Sequence, residues 1–192
     1  MKKIKIAILI SGRGSNMQAL VQACAVADFP AEVAVIISNK SDAQGLVFAR
    51  EQGIPAIFID HKKFASRQEF DQALTAEIEK NHCQIVCLAG FMRLLSPQFV
   101  QHWQGRAINI HPSLLPAFKG ADAVGDAIKA HAKISGCTVH FIAEEMDAGP
   151  IIAQAQVEVL SSDNKETLAA RILQEEHKLY PQSLAKVCKE LI

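Results

Sequence analysis

The sequence predicts an α/β fold in which a mostly parallel sheet is flanked by helices. Between residues 4 and 110, short continuous apolar runs alternate with amphipathic segments of helical period. This alternation is typical of βαβ units, in which helices cover both faces of a parallel sheet. After residue 130, apolar and polar residues alternate more cleanly, so two antiparallel strands are expected near the C-terminal end.

Each predicted parallel strand is a short apolar run, and an amphipathic segment lies between one run and the next. The strands are predicted at IKIAILI (4–10), EVAVIIS (32–38), PAIFID (55–60), QIVCLAG (84–90) and RAINI (106–110). The helices are predicted from Met17 to Ala27, Ala43 to Gln52, Arg67 to Lys80 and Pro97 to Trp103. The antiparallel strands are predicted within GCTVHFIAEE (136–145) and PIIAQAQVEVL (150–160), on either side of a DAGP turn. A last helix is predicted at about residues 165–191, with a kink or break at Pro181 because proline lacks a backbone donor.

Composition and charge limit the classes of function. The 192 residues are 49% hydrophobic, which is enough for one sizeable core, so a single domain over residues 1–192 is expected. The net charge is zero, which disfavours nucleic acid as a partner. No apolar stretch is long enough to cross a bilayer, and no signal-peptide cleavage site follows the first apolar run. The five cysteines form no CxxC pair, so free thiols in a reducing cytoplasm are expected.

The first turn, within LISGRGSNMQAL (9–20), has features of a phosphate site. Gly12 and Gly14 permit a tight turn, but Met17 stands where a dinucleotide fingerprint needs a third glycine, and the lysine of a P-loop is absent. Ser15 and Asn16 are predicted to cap the helix that follows. Free backbone N–H groups at a positive helix end could bind one phosphate. A plain strand–helix connection capped by Ser15 is an equally good interpretation.

Polar side chains stand where the fifth strand is predicted to end. Asn109 and His111 are two residues apart and so point to the same face of the sheet. Pro112 stops the strand, and Pro116 stiffens the loop that follows. Ligands of open parallel sheets bind beyond the carboxyl ends of the strands, so a functional pair is favoured over a histidine that is merely satisfied in the core.

Two further polar residues follow later in the chain. His140 lies in a strand that otherwise packs, and a hydrogen-bonded core histidine is the favoured interpretation. Asp147 precedes the small Ala-Gly-Pro turn, where an aspartate is ordinary turn chemistry. If that loop folds back over the sheet end, Asp147 can reach His111.

The last predicted helix places a carboxylate among apolar residues. Leu168, Ile172, Glu176 and Tyr180 follow one another at a spacing of four, so Glu176 lies on the apolar stripe. A buried carboxylate needs partners. Glu176 is therefore either hydrogen-bonded within the core or bound to hydroxyl groups of a ligand, and the sequence does not decide between the two.

Arg67 has an ordinary structural interpretation when its neighbours alone are considered. Ser66 and Glu69 fit a capping box, which makes Arg67 a solvated residue of the first helical turn. No group of His, Cys or Asp residues has the spacing of a metal site, so no metal is predicted.

Several of these segments together resemble the phosphoribosylglycinamide formyltransferases, folate-dependent enzymes of purine synthesis. They are GRGSN, LAGFMRLLS, NIHPSLLP, GCTVHF and DAGPII, and the resemblance extends from GRGSN to EEHKLYP. NIHPSLLP alone is shared with other folate enzymes that handle formyl groups, whereas its combination with GxGSN is much more specific. The resemblance implies a formyltransferase-like fold with a Rossmann-type N-terminal half. It also implies formyl transfer from 10-formyltetrahydrofolate to the amine of N1-(5-phosphoribosyl)glycinamide.

The resemblance also implies roles for particular residues. The catalytic trio would be Asn109, His111 and Asp147. The residues that bind the phosphoribosyl substrate would be Gly14, Ser15, Asn16, Arg67 and Glu176, which reverses the interpretation of Arg67 as merely solvated. The residues around the folate would be Met92, Arg93, Leu94, Leu95, Asn109, Glu144, Glu145 and Asp147. The chain departs from the family pattern at ADAVGDAIKAH (121–131), where many members carry histidine.

Three rival functions compete with this interpretation. A hydrolase of the same formyl folate usually has an additional N-terminal regulatory domain, and this chain starts directly at the first strand. A formyltransferase acting on initiator tRNA would need a C-terminal nucleic-acid-binding domain, where residues 165–192 supply one helix. A non-enzymatic nucleotide-binding module is the third. The favoured partners are glycinamide ribonucleotide and folate, without nucleic acid or membrane, for a monomer or homodimer.

Overall fold

The computed structural model describes residues 3–191, which form one seven-stranded sheet with helices on both faces. The strands are β1 (Ile4–Ile10), β2 (Ala31–Ser38), β3 (Ala56–Phe58), β4 (Ile85–Leu88), β5 (Ala107–His111), β6 (Ile134–Phe141) and β7 (Ile151–Glu158). The helices are α1 (Ser15–Cys24), α2 (Gln44–Glu51), α3 (Arg67–Lys80), α4 (Pro97–His102), α5 (Ala123–Lys129) and α6 (Lys165–Leu191), with a short 3₁₀ turn at His61–Lys63.

The sheet confirms the predicted fold class. Its strand order is β3-β2-β1-β4-β5-β6-β7. The five strands from β3 to β5 pair in parallel, whereas β6 pairs antiparallel with both β5 and β7. The carboxyl ends of β1, β4 and β5 therefore meet at one edge of the sheet, and β6 begins its antiparallel course beside β5.

Two apolar cores lie on the two faces of the sheet, because successive residues of a strand point to opposite sides. One core joins α1, α2 and α6 to alternate residues of the central strands, including Ile8, Cys87 and Ile108. The other joins α3 and α4 to the intervening residues, including Leu9 and Val86. Within residues 3–191, this second core contains no residue of β6 or β7. On that side, the polar residues at the end of β5 are therefore bordered by loops.

The predicted helix caps of α1 were wrong. The N-cap is Gly14, which has a left-handed backbone with φ of 75°, and Ser15 is already the first helical residue. No side-chain hydrogen bond caps this end of the helix, which leaves the backbone N–H groups of the first turn without a side-chain partner. The predicted capping of α3 was confirmed: the Ser66 hydroxyl accepts from the Glu69 N–H at 3.2 Å, and the Glu69 carboxylate accepts from the Ala65 N–H at 3.0 Å.

A kink or a break was predicted in α6 at Pro181, and the predicted break was wrong. Element α6 is one continuous helix from Lys165 to Leu191 with Pro181 inside it. Tyr180 and Leu184 are fully buried on either side of the proline, so packing holds the helix together where one backbone hydrogen bond is missing. The short helix α5 was not predicted.

All five cysteines are free, as predicted, and all five are buried. Burial raises the pKa of Cys24, Cys83 and Cys137 to about 12 and that of Cys188 to about 11, which leaves the reactive thiolate form scarce. In the described part of the chain, no helix has the length and apolar character needed to span a membrane.

Candidate active site

The pairing of β5 with β6 brings four polar side chains to one face of the sheet. Asn109 stands opposite His140, and His111 stands opposite Thr138. His111 is 5% exposed and His140 is 2% exposed, so both imidazole rings are largely shielded from water. The side chains lie at the carboxyl end of β5, where open parallel sheets bind their ligands.

The loop after β6 folds back over these residues and delivers Asp147. Its Oδ2 atom lies 3.4 Å from His111 Nδ1, and its Oδ1 atom lies 3.7 Å from His140 Nε2. Asp147 has a left-handed backbone with φ of 55°, and the Gly120 N–H donates to its Oδ2 at 2.9 Å. The structure therefore brings Asn109, His111 and Asp147 together. The sequence predicted that Asp147 would reach His111 if this loop folds back over the sheet end, and the loop does so.

His111 faces a hydrogen-bond acceptor at each ring nitrogen. Its Nε2 lies 2.9 Å from the carbonyl oxygen of Phe118, and its Nδ1 faces the Asp147 carboxylate. Since a carbonyl oxygen can only accept, Nε2 carries the proton of that hydrogen bond. An imidazolium, which has a donor at each nitrogen, satisfies both partners. His111 is thus arranged as a hydrogen-bond donor whose Nε2–H points away from the carboxylate.

His140 holds the side-chain amide of Asn109. Its Nδ1 donates to the Phe141 carbonyl oxygen at 2.8 Å, so its Nε2 is the acceptor and lies 3.3 Å from Asn109 Nδ2. Burial lowers the pKa of His140, which favours this neutral form, although the Phe141 hydrogen bond and Asp147 oppose the shift. One N–H of Asn109 is therefore fixed by His140, and the other is left for a ligand.

A second cluster joins the first turn to α6. Asn16 Nδ2 donates to Glu176 Oε2 at 2.7 Å, and Glu176 is only 6% exposed. Burial raises the pKa of Glu176 to about 6, although the Asn16 hydrogen bond lowers it. Asn16 Oδ1 is buried without a partner among the residues that the structure describes. The pair thus presents acceptor oxygens beside the open N–H groups at the start of α1.

The segments predicted to surround a folate are mostly exposed. Met92 and Leu94 are 73% and 56% exposed, which is high for large apolar side chains, and Arg93 is exposed beside them. Leu95 is half-buried and packs against the second core. The Met92 N–H donates to the Ser11 hydroxyl at 2.8 Å, which ties this segment to the end of β1.

Three other predicted binding residues lie outside these clusters. Arg67 is exposed at the first position of α3, and no hydrogen bond or ion pair within residues 3–191 joins it to the trio. Glu144 and Glu145 are exposed in the loop that carries Asp147. Glu145 pairs with Lys119 at 2.8 Å, so this loop is linked to the segment that supplies Phe118 and Gly120.

Comparison with known proteins gives the family. Residues 4–184 match the family model described as formyl transferase. The chain is 43% identical over 178 residues to the phosphoribosylglycinamide formyltransferase of Escherichia coli (strain K12), an alignment that covers 93% of this chain and 84% of that protein. The chain belongs to the phosphoribosylglycinamide formyltransferase family.

The chain is also similar to proteins of solved structure and to part of a longer, trifunctional protein. The chain has a TM-score of 0.96 and 44% identity with glycinamide ribonucleotide transformylase 1 from Symbiobacterium toebii, over 98% of this chain and 89% of that one. It is also 47% identical over 185 residues to the trifunctional purine biosynthetic protein adenosine-3 of Gallus gallus. That match covers 96% of this chain but only 18% of the relative, so the chain spans about a fifth of the trifunctional protein's length.

Residues 121–131, the segment that departs from the family pattern, contain helix α5 in this phosphoribosylglycinamide formyltransferase family member. The Asp122 carboxylate lies 2.6 Å from Lys165 Nζ and 3.4 Å from Lys129 Nζ. Val124 and Gly125 are buried in the helix that follows. The segment therefore ties the loop beside the trio to the beginning of α6, and the trio itself keeps its contacts.

His140 is the residue whose role in this cluster was not predicted. We expect His140→Leu to lower kcat by about 10-fold, because Asn109 loses the acceptor that orients its amide. His140→Gln should recover part of that loss, since a glutamine oxygen can accept the same hydrogen bond. The KM values of both substrates should stay near wild type in steady-state kinetics. A fall in kcat/KM that arose from KM alone would contradict this positioning role.

Proposed function

We propose that the chain transfers the formyl group of 10-formyltetrahydrofolate to the amine of N1-(5-phosphoribosyl)glycinamide, a step of de novo purine (IMP) biosynthesis. The observation that carries the proposal is the convergence of Asn109, His111 and Asp147 at the end of β5. The family membership supports the same reaction. The proposal includes a folate as the formyl donor and does not include a metal.

The chemistry follows from the two donors. The substrate amine attacks the formyl carbon, and negative charge develops on the former carbonyl oxygen of a tetrahedral intermediate. In this proposal the N–H of Asn109 that His140 does not engage and the Nε2–H of His111, once released from the Phe118 carbonyl, would stabilise that oxygen. The bond from carbon to N10 of the folate then breaks. The amine loses one proton and N10 gains one, so the reaction consumes no net proton.

Substrate binding is assigned to the first turn and to α6. The phosphate would bind to the backbone N–H groups at Gly14, Ser15 and Asn16, where the helix end is positive. The ribose hydroxyls would donate to Glu176 and to the unpartnered Asn16 Oδ1. These contacts would hold the amine next to the formyl carbon and so lower the entropic part of the barrier.

Folate binding is assigned to the exposed segment Met92–Leu95 and to the loop that carries Glu144, Glu145 and Asp147. Exposed apolar side chains such as Met92 and Leu94 provide surface for a flat ring system. Arg67 and Arg93 would meet negative charges of the two ligands. We also propose a cytoplasmic location and a monomeric or homodimeric state, which light scattering after gel filtration would decide.

Glu176→Gln should make the folded protein more stable at pH 8 and should weaken binding of the ribonucleotide. Because the pKa of Glu176 is raised to about 6 in the folded protein, the ionised carboxylate lowers the free energy of unfolding above about pH 6. Below the ordinary pKa of 4.5, Glu176 is protonated in both the folded and the unfolded protein, so it has no such effect. The glutamine should therefore add about 2 kcal/mol to the free energy of unfolding at pH 8 and nothing at pH 4. At pH 8 it should raise KM for the ribonucleotide by about 10-fold or more. Denaturant titrations at both pH values and steady-state kinetics test this; equal stability at pH 8 would contradict it.

The proposed reaction is tested by supplying formyl folate with and without glycinamide ribonucleotide. Formyl transfer requires that tetrahydrofolate and formylated ribonucleotide appear in equal amounts and only when both substrates are present. Folate turnover that ignores the ribonucleotide and releases formate would favour a hydrolase. Absence of turnover by a folded protein would favour a binding module. Either result would overturn the proposal.

A further inference from the structure

One row of polar side chains crosses the three strands next to the trio. The register places Thr138 of β6 opposite His111 of β5, and Gln154 of β7 opposite Thr138. Residues paired in this way present their side chains to the same face of a sheet. Thr138 is fully buried, whereas Gln154 is an exposed residue on the edge strand.

Thr138 and Gln154 form a hydrogen-bond cluster with the turn after His111. The Thr138 hydroxyl donates to the Ser113 carbonyl oxygen at 2.7 Å and accepts from the Leu115 N–H at 3.0 Å. Gln154 Nε2 donates to the same hydroxyl at 2.9 Å and to the Leu115 carbonyl oxygen at 2.9 Å. The hydroxyl thus uses its one donor and both lone pairs, and the amide uses both of its hydrogens.

This cluster fixes the segment that contacts the trio. The turn at residues 113–115 continues directly to Phe118, whose carbonyl oxygen accepts from His111, and to Gly120, whose N–H donates to Asp147. The Ser113 hydroxyl donates to the Ala117 carbonyl oxygen at 2.6 Å, so the residues between this turn and Phe118 are also held in place. Gln154 has no hydrogen bond to the trio among the described residues, so any influence on it passes through the turn.

We propose that Gln154 is a positioning residue for formyl transfer, which acts by clamping residues 113–115 and thereby the partners of His111 and Asp147. The inference rests on the proposed function. It requires a side chain at position 154 that can donate two hydrogen bonds at once. Glutamine can do so, whereas an ionised glutamate of the same shape offers only acceptors to the Leu115 carbonyl and the Thr138 hydroxyl.

The test compares Gln154→Glu with Gln156→Glu. Gln156 lies two residues along β7, is exposed, and takes part in no side-chain hydrogen bond within residues 3–191, so it is a matched control. At about pH 8 we expect Gln154→Glu to lower kcat by about 10-fold or more with KM within about twofold of wild type. As the pH falls to about 5.5, a fraction of the carboxyl becomes protonated and regains one of the two donated hydrogen bonds, so the ratio of variant to wild-type kcat should rise in part. Gln156→Glu should match wild type throughout.

A third variant separates the loss of the two donated hydrogen bonds from the added negative charge. Gln154→Met keeps a similar volume without charge, so its kcat should also fall, but the ratio to wild type should not change with pH. A wild-type kcat in Gln154→Glu at about pH 8, or equal losses in Gln154→Glu and Gln156→Glu, would overturn the inference. Failure of the proposed function is distinguishable, because wild type itself would then show no ribonucleotide-dependent formyl transfer.

Discussion

Replacement of His111 by alanine is expected to lower kcat by about 10²–10³-fold, while the KM values of both substrates change by no more than about threefold. His111 is largely shielded from water, and its Nε2–H is already directed at an oxygen, the Phe118 carbonyl, 2.9 Å away. A donor in such a place stabilises an oxyanion more strongly than it would in water. The loss should appear in the chemical step because the proposed phosphate, ribose and pterin contacts involve other residues.

Two further variants make the His111 result interpretable. Asn109→Ala should produce a fall in kcat of similar size, since it removes the second donor to the same oxygen. His102→Ala is the control, because His102 is an exposed surface histidine that pairs with Glu79 at 2.9 Å. It should retain wild-type kinetics. An unchanged kcat in His111→Ala or in Asn109→Ala would remove that residue from the trio.

Gly149→Ala is expected to impair both folding and catalysis. A Cβ at this buried position would lie 1.8 Å from the Phe141 carbonyl oxygen, which is a backbone atom that cannot move aside alone. That oxygen accepts from His140 Nδ1, and the Pro150 carbonyl next to Gly149 accepts from the Phe141 N–H. The added methyl group would push the loop that carries Asp147 away from β6. We expect a loss of about 3 kcal/mol in the free energy of unfolding and a fall in kcat of about 100-fold.

Gly53→Ala is the matched glycine control for this loop. Gly53 has a left-handed backbone with φ of 69°, but a Cβ there would meet nothing within 4 Å. It should cost about 1–2 kcal/mol of stability through backbone strain and leave kcat unchanged. Chemical denaturation and initial-rate assays on both variants measure the two effects. Wild-type stability and activity in Gly149→Ala would mean that the close approach of the loop to Phe141 is not required.

The parallel strands were predictable because their burial on both faces leaves a continuous apolar run, and the C-terminal pair because its alternation and turn indicate a hairpin. Asn109 and His111 were predictable as neighbours because their spacing of two is local. His140 was not, since its place beside Asn109 depends on the register of β6 against β5. A single sequence does not specify that register.

The first turn shows why local rules failed at another point. Ser15 and Asn16 have the side chains of helix caps, yet the helix begins at Ser15 after a left-handed Gly14. Asn16 is instead drawn to Glu176, 160 positions away in the chain. That contact also explains how a carboxylate lies on the apolar stripe of α6. A tertiary partner overrode the local preference, and it did so at a predicted binding site.

The most direct measurement is a crystal structure of the protein with glycinamide ribonucleotide and an unreactive folate analogue that carries an oxygen at the formyl position. We expect that oxygen within about 3 Å of both Asn109 Nδ2 and His111 Nε2, with the Phe118 carbonyl displaced from the ring. The Asp147 carboxylate should remain at His111 Nδ1. An analogue whose oxygen contacts neither residue, while Phe118 still occupies His111 Nε2, would contradict the assignment of this cluster as the site of formyl transfer.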